Sequence, residues 1–174
     1  MLVYFKENGA SHFFRQPLHE LFRESISLEN LLPRSELLVL EDQLYEAKTD
    51  HQRILVVENF LITQLKPTQS DKLVSAALAL IHNSKGNIKI SELAKNLNTS
   101  LGPLEKRFRQ SVGTTAKGFA SIIRMKHIIN NLKGPQSVPD LAYQAGFYDQ
   151  SHFIKEFKSF AGETPLSFLK SSQI

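Results

Sequence analysis

Four cations stand at matched places in the C-terminal half of this chain: Lys106 and Arg109, then Lys155 and Lys158, each 49 residues further on. A spacing of three puts both members of a pair on one face of a helix. A cationic helix face suits a polyanion, because each phosphate neutralised by Lys or Arg releases condensed counterions. The distribution of charge agrees: residues 1–69 carry a net −3 and residues 70–174 a net +7, within a total of +4. The chemistry on offer is binding. The six His, among them His127 and His152, form no helical i, i+4 pair with a carboxylate cluster. No phosphate-cradling glycine loop or nucleophile elbow occurs either. No catalytic residue, metal ligand or cofactor is therefore expected. With no Cys, a disulfide framework and a thiolate metal site are excluded, which fits a reducing, cytoplasmic setting.

The elements that position these cations form a degenerate internal repeat. Leu93-Ala94 matches Leu141-Ala142, and Asn98 matches Gly146, at an offset of 48. Beyond the turn the offset becomes 49: Ser100 with Asp149, Leu104 with Phe153, Phe108 with Phe157, Gly113 with Gly162, Thr115 with Thr164 and Phe119 with Phe168. Each pair has a job. Ala94 and Ala142 are small where a second helix must cross closely. Asn98 and Gly146 tolerate the left-handed backbone that ends a helix sharply. Ser100 and Asp149 suit N-caps. Leu104 and Phe108, like Phe153 and Phe157, are i, i+4 anchors, which leaves outer faces at 102, 105, 106 and 109 and at 151, 154, 155 and 158. Between the two units, 116–132 reads as one apolar-faced helix, roughly 25 Å long. Such a rod can set two helices about one DNA turn, roughly 34 Å, apart.

Upstream, Lys66-Pro67-Thr68-Gln69-Ser70 reads as a boundary, since Pro67 biases Lys66 away from helical geometry. A helix is expected over 71–83, capped by Ser70 or Asp71, and a helical hairpin over 35–47 and 50–65, its second arm capped by Thr49 or Asp50. Leu18 to Arg23 suggests one or two helical turns, and Leu2 to Phe5 one short strand. The N-terminus MLVYFKENGA has no charged leader before an apolar run, and no segment approaches membrane-spanning length. The fold class expected is mainly α: a small helical segment at 1–69, then a domain at 70–174. That domain holds helix-turn-helix units at about 90–113 and 138–161, joined by the long linking helix.

Residues about 70–174 resemble the DNA-binding domain of AraC/XylS-type bacterial transcription regulators. The resemblance is carried by Leu141-Ala142, Gly146-Phe147, Ser151-His152-Phe153, Phe157-Lys158, Gly162 and Thr164-Pro165. Leu104, Phe108, Arg109, Gly113 and Arg124 add to it. The resemblance implies sequence-specific binding of double-stranded DNA, control of transcription and contact with RNA polymerase. It puts base-reading positions at Gly102, Glu105 and Lys106 and at Gln150, Ser151 and Lys155. Lys106 and Lys155 can donate to guanine, Gln150 can pair with adenine, and Glu105 can accept from cytosine. Ser100, Arg109 and Lys158 fall to phosphates. Gly102-Pro103 departs from the family pattern, and Gly102 has no side chain to read with. The second unit is therefore expected to read more bases than the first.

Residues 1–66 resemble, less specifically, the tail of the sensor domain that precedes this module in some members. Most of the β-rich ligand-binding portion is then missing, and no self-contained small-molecule pocket is expected. The hairpin at 35–65 is a candidate homodimer surface. The competing class is a helical protein-interaction module without DNA readout. A repair methyltransferase carrying the same module would need a reactive Cys, which the chain lacks.

Overall fold

The computed structural model of the chain describes residues 2–66, 71–131 and 137–171. The boundary at Pro67 to Ser70 and the expected end of the linking helix at Leu132 lie outside them. Nine α-helices form among the described residues. The expected hairpin is α1 (Arg34–Glu46) and α2 (Asp50–Gln64), and the next helix is α3 (Lys72–Asn83). The first repeat unit holds α4 (Ile90–Asn96) and α5 (Leu101–Val112), and the linking helix is α6 (Ala116–Asn130). The second unit holds α7 (Val138–Gln144) and α8 (Gln150–Ala161), followed by α9 (Pro165–Ser171). No described helix is long and apolar enough to cross a membrane.

Two compact units interleave along the chain: Met1–Ser75 with Gly102–Thr115, and Ala76–Leu101 with Ala116–Ile174. In the first, a capping box starts α2: Thr49 Oγ1 accepts from the Gln52 amide at 3.2 Å, and Gln52 Oε1 accepts from the Thr49 amide at 3.2 Å. Leu37 and Leu40 are the buried residues of α1, and Leu18 is buried in a single 3-10 turn at Leu18–Glu20. The short strand expected at Leu2 to Phe5 does not form. A strand needs a neighbour for its N–H and C=O groups, and no second extended segment pairs with it among the described residues. Phe5 instead packs its ring against Phe13 and Phe14, with centroids 5.2 and 5.7 Å away.

Asp71 does two things in this unit. One carboxylate oxygen accepts from the Val74 amide at 3.1 Å and caps α3. Both oxygens accept from Arg107 of α5, Oδ2 from Nε and Oδ1 from Nη2, each at 2.6 Å. Burial on its own would raise the Asp71 carboxyl, but the Arg107 bonds and charge and the Val74 and Leu73 amides outweigh it. The group is held below its ordinary 3.8. Folding therefore weakens its hold on a proton, and its contribution is complete above the ordinary value and lost as pH falls through the depressed one. The expected result is that urea midpoints of wild type and Asp71→Asn differ at pH 6 and converge progressively below about pH 4.

In the second unit the core centres on Met125 and Ile128 of α6, Leu141 and Ala142 of α7, and Phe153 and Phe157 of α8. Phe168 of α9 sets its ring 5.6 Å from Phe157. The α3–α4 loop crosses close to α6 at Gly86, whose φ of +78° lies in the left-handed region. A Cβ there would stand 2.2 Å from the Ala120 carbonyl oxygen.

Candidate nucleic-acid interface

Each candidate reading helix follows a helix that stops in the same way. After α4 the chain turns through Asn98 at φ +50°, and the Thr99 amide donates to the Ala94 carbonyl at 3.0 Å. After α7 it turns through Gly146 at φ +70°, and the Phe147 amide donates to the Ala142 carbonyl at 2.9 Å. Both are the six-to-one bond of a left-handed helix stop. The residue types matched in sequence thus take matched backbone conformations.

Helix α8 then starts on Asp149, whose Oδ1 accepts from the Ser151 amide at 2.9 Å, and ends at Gly162 with φ +80°. Phe153 and Phe157 are fully buried on one side. Gln150, Ser151, Lys155 and Lys158 are exposed. Ile154, expected on the outer face, is half-buried against the core instead. It lies one residue from Phe153 and three from Phe157, so its side chain reaches the edge of the apolar face. His152 is exposed on the same helix.

A polar cluster ties α8 to the linking helix. The Arg124 guanidinium lies 4.3 Å from the centre of the Phe147 ring and donates to Glu156 at 3.3 Å and to Ser121 Oγ at 3.3 Å. Ser121 Oγ also donates to Glu156. The His152 Nδ1 is 3.9 Å from the same carboxylate. Arg124 and Glu156 are each about four-fifths buried at the side chain, so water screens this pair less than a surface pair. The cluster joins α8 and the turn before it to the linking helix, beside the buried anchors Phe153 and Phe157.

On α5, Leu104 and Phe108 are fully buried, while Gly102, Lys106 and Arg109 are exposed and Glu105 is half-buried. Ser100 is exposed just before the helix. A Cβ added at Gly102 would meet nothing within 4 Å. The nine residues singled out in the sequence thus fall on two helices and the residue preceding one of them. Two further residues are not announced by the sequence pattern. Arg107 is engaged with Asp71, 36 positions away, which no local pattern announces. Tyr148 is fully exposed immediately before the α8 cap, and an aromatic residue inside a turn was the available signal.

Residues 93–171 match the family model of a helix-turn-helix domain. The Msm operon regulatory protein of Streptococcus mutans is 30% identical over 122 residues, covering 68% of this chain and 44% of that protein. The HTH-type transcriptional regulator MtrA of Neisseria gonorrhoeae is 30% identical over 135 residues, covering 77% of this chain and 42% of its own length. The chain thus spans less than half the length of either relative. Among solved structures, a DNA-binding transcriptional dual regulator from Escherichia coli K-12 shares the fold, with a TM-score of 0.51 and 20% identity, over 63% of this chain and 100% of that one.

Proposed function

Residues 93–171 belong to the AraC type of helix-turn-helix domain, and from that premise we propose that the whole chain is a sequence-specific, DNA-binding regulator of transcription. In this reading α5 and α8 enter successive major grooves of one duplex. Gln150, Ser151 and Lys155 read base edges from α8. Glu105 and Lys106 read from α5, where Gly102 occupies a reading position without a side chain. Ser100, Arg109, Lys158 and the Tyr148 hydroxyl hold phosphates. The observation that supports it is the duplicated helix stop, each followed by a twelve-residue helix with buried anchors on one side and exposed cations on the other.

The proposal extends to the division of the chain, with 1–69 as an accessory segment and 70–174 as the DNA-binding domain. It includes work in the cytoplasm and RNA polymerase as a protein partner. A second copy docks through residues 35–65, where Leu38, Val39, Tyr45 and Ile62 leave apolar surface exposed. The test is a mobility shift with promoter DNA, including DNA flanking the chain's own gene. Affinity should fall steeply with salt and exceed that for scrambled DNA by at least about a thousandfold. The stoichiometry of the shifted band reports one copy or two. Binding indifferent to both salt and sequence would sink the reading.

A further inference from the structure

Two adjoining cavities lie within the unit formed by Met1–Ser75 and Gly102–Thr115. The first has a volume of about 390 Å³ and lies between the α1–α2 hairpin and the N-terminal aromatic cluster. Leu40, Leu44, Val57 and Phe60 of the hairpin line it opposite Phe5 and Phe14. The one charged residue among its described walls is Arg53, already paired with Asp50 at 3.0 Å. A volume of this size is in the range that small organic ligands fill. Its walls offer almost nothing to a polar ligand. No self-contained pocket is expected here from the sequence. The N-terminal aromatic residues and the hairpin line the cavity together.

The second cavity, about 480 Å³, shares Phe13, Leu32 and Gln64 with the first. Its charged lining is Arg15, Lys66 and Glu36. The Glu36 carboxylate already accepts from the Gln64 amide. The Lys66 ammonium donates to the Phe14 carbonyl and has two further donors. It is pushed below the usual lysine range, by burial first and by the Arg15 charge second. Two cations therefore stand in one cleft with a single, already engaged carboxylate, beside an apolar cavity. An anion set between them would relieve their repulsion and form charge-assisted hydrogen bonds.

We propose that these joined cavities bind an amphiphilic anion, a straight-chain alkyl carboxylate, with its tail among Leu40, Val57 and Phe60 and its carboxylate between Arg15 and Lys66. None of the described lining residues is one assigned to DNA reading. Recognition is divided between the parts of the ligand: the tail supplies affinity through apolar burial, and the headgroup selects the sign of charge.

The experiment is calorimetric titration of the full chain with octanoate, decanoate and dodecanoate below their micellar concentrations. Decanol and decyltrimethylammonium serve as headgroup controls. Affinity should rise about fourfold per added methylene until the cavity is full. Decanoate should bind about tenfold more tightly than decanol, the margin of a charge-assisted bond, and the ammonium should bind most weakly. Arg15→Gln, at an exposed position, should erase most of the carboxylate margin and leave decanol unchanged. Val57→Trp should obstruct the tail cavity and weaken binding of both. If that variant fails to fold, as circular dichroism would show, the Arg15→Gln comparison decides alone. Equal affinity for all three headgroups, no dependence on chain length, or an unchanged margin in Arg15→Gln would each overturn the site. So would occupation of the groove by a second copy that excludes decanoate.

Discussion

Gly86→Ala should unfold most of the second compact unit under conditions where wild type is fully folded. The new methyl would stand 2.2 Å from the Ala120 carbonyl oxygen and 2.6 Å from the Arg124 amide nitrogen, both backbone atoms of α6. Neither can swing away as a side-chain tip can. A non-glycine residue at φ +78° adds strain of about 1–3 kcal/mol, and forced overpacking adds a further ~1–3 kcal/mol. Gly162→Ala isolates the two effects, because Gly162 has a similar φ of +80° but nothing within 4 Å of where its new methyl would lie. It should lose only the strain. Urea denaturation of both variants, followed by circular dichroism, checks the difference. Equal midpoints for the two would mean that the α3–α4 loop yields and that its approach to α6 is not a fixed contact.

Lys155→Ala should weaken binding to the cognate operator by about 5- to 150-fold, the range of about 1–3 kcal/mol for one base contact, and blunt discrimination at one base pair. Lys158→Ala, three residues along the same exposed side, should behave differently. It should weaken all sequences alike and lower the slope of log affinity against log salt by about 1. Melting curves should not move for either variant, because both side chains are exposed. Fluorescence anisotropy against the operator and single-base variants, at several salt concentrations, separates the two roles. If Lys155→Ala lowers every affinity by the same factor, Lys155 is a phosphate contact and the base-reading assignment on α8 fails.

Much of the C-terminal half was legible because its determinants are local. Asn98 and Gly146 take the left-handed backbone their types permit, Asp149 caps α8, and Leu104, Phe108, Phe153 and Phe157 are the buried anchors. The linking helix ends at Asn130, where the exposed Asn131 side-chain amide donates to the His127 carbonyl at 2.7 Å. Helix α9 lies beyond the second expected helix-turn-helix unit, although the repeat contains it: Ala116 opens α6, and Pro165, 49 residues later, opens α9. The rest depends on contacts between distant residues. Arg107 finds Asp71 across 36 positions. Phe5, Phe13 and Phe14 have neither helical nor strand periodicity, and their shape is decided by one another and by the hairpin beside them. The apolar run Leu2 to Phe5 suits a strand by residue type, but a strand cannot be read from one partner alone.

Gly102 has a consequence for how such a regulator could change its targets. The position is exposed, sits in the first turn of α5, and has open space where a side chain would begin. Here the added atoms would point into solvent, and exchanging a helical glycine favours the helix. If Gly102 occupies a base-reading position as proposed, a new operator preference is one codon away, with open space for the added side chain.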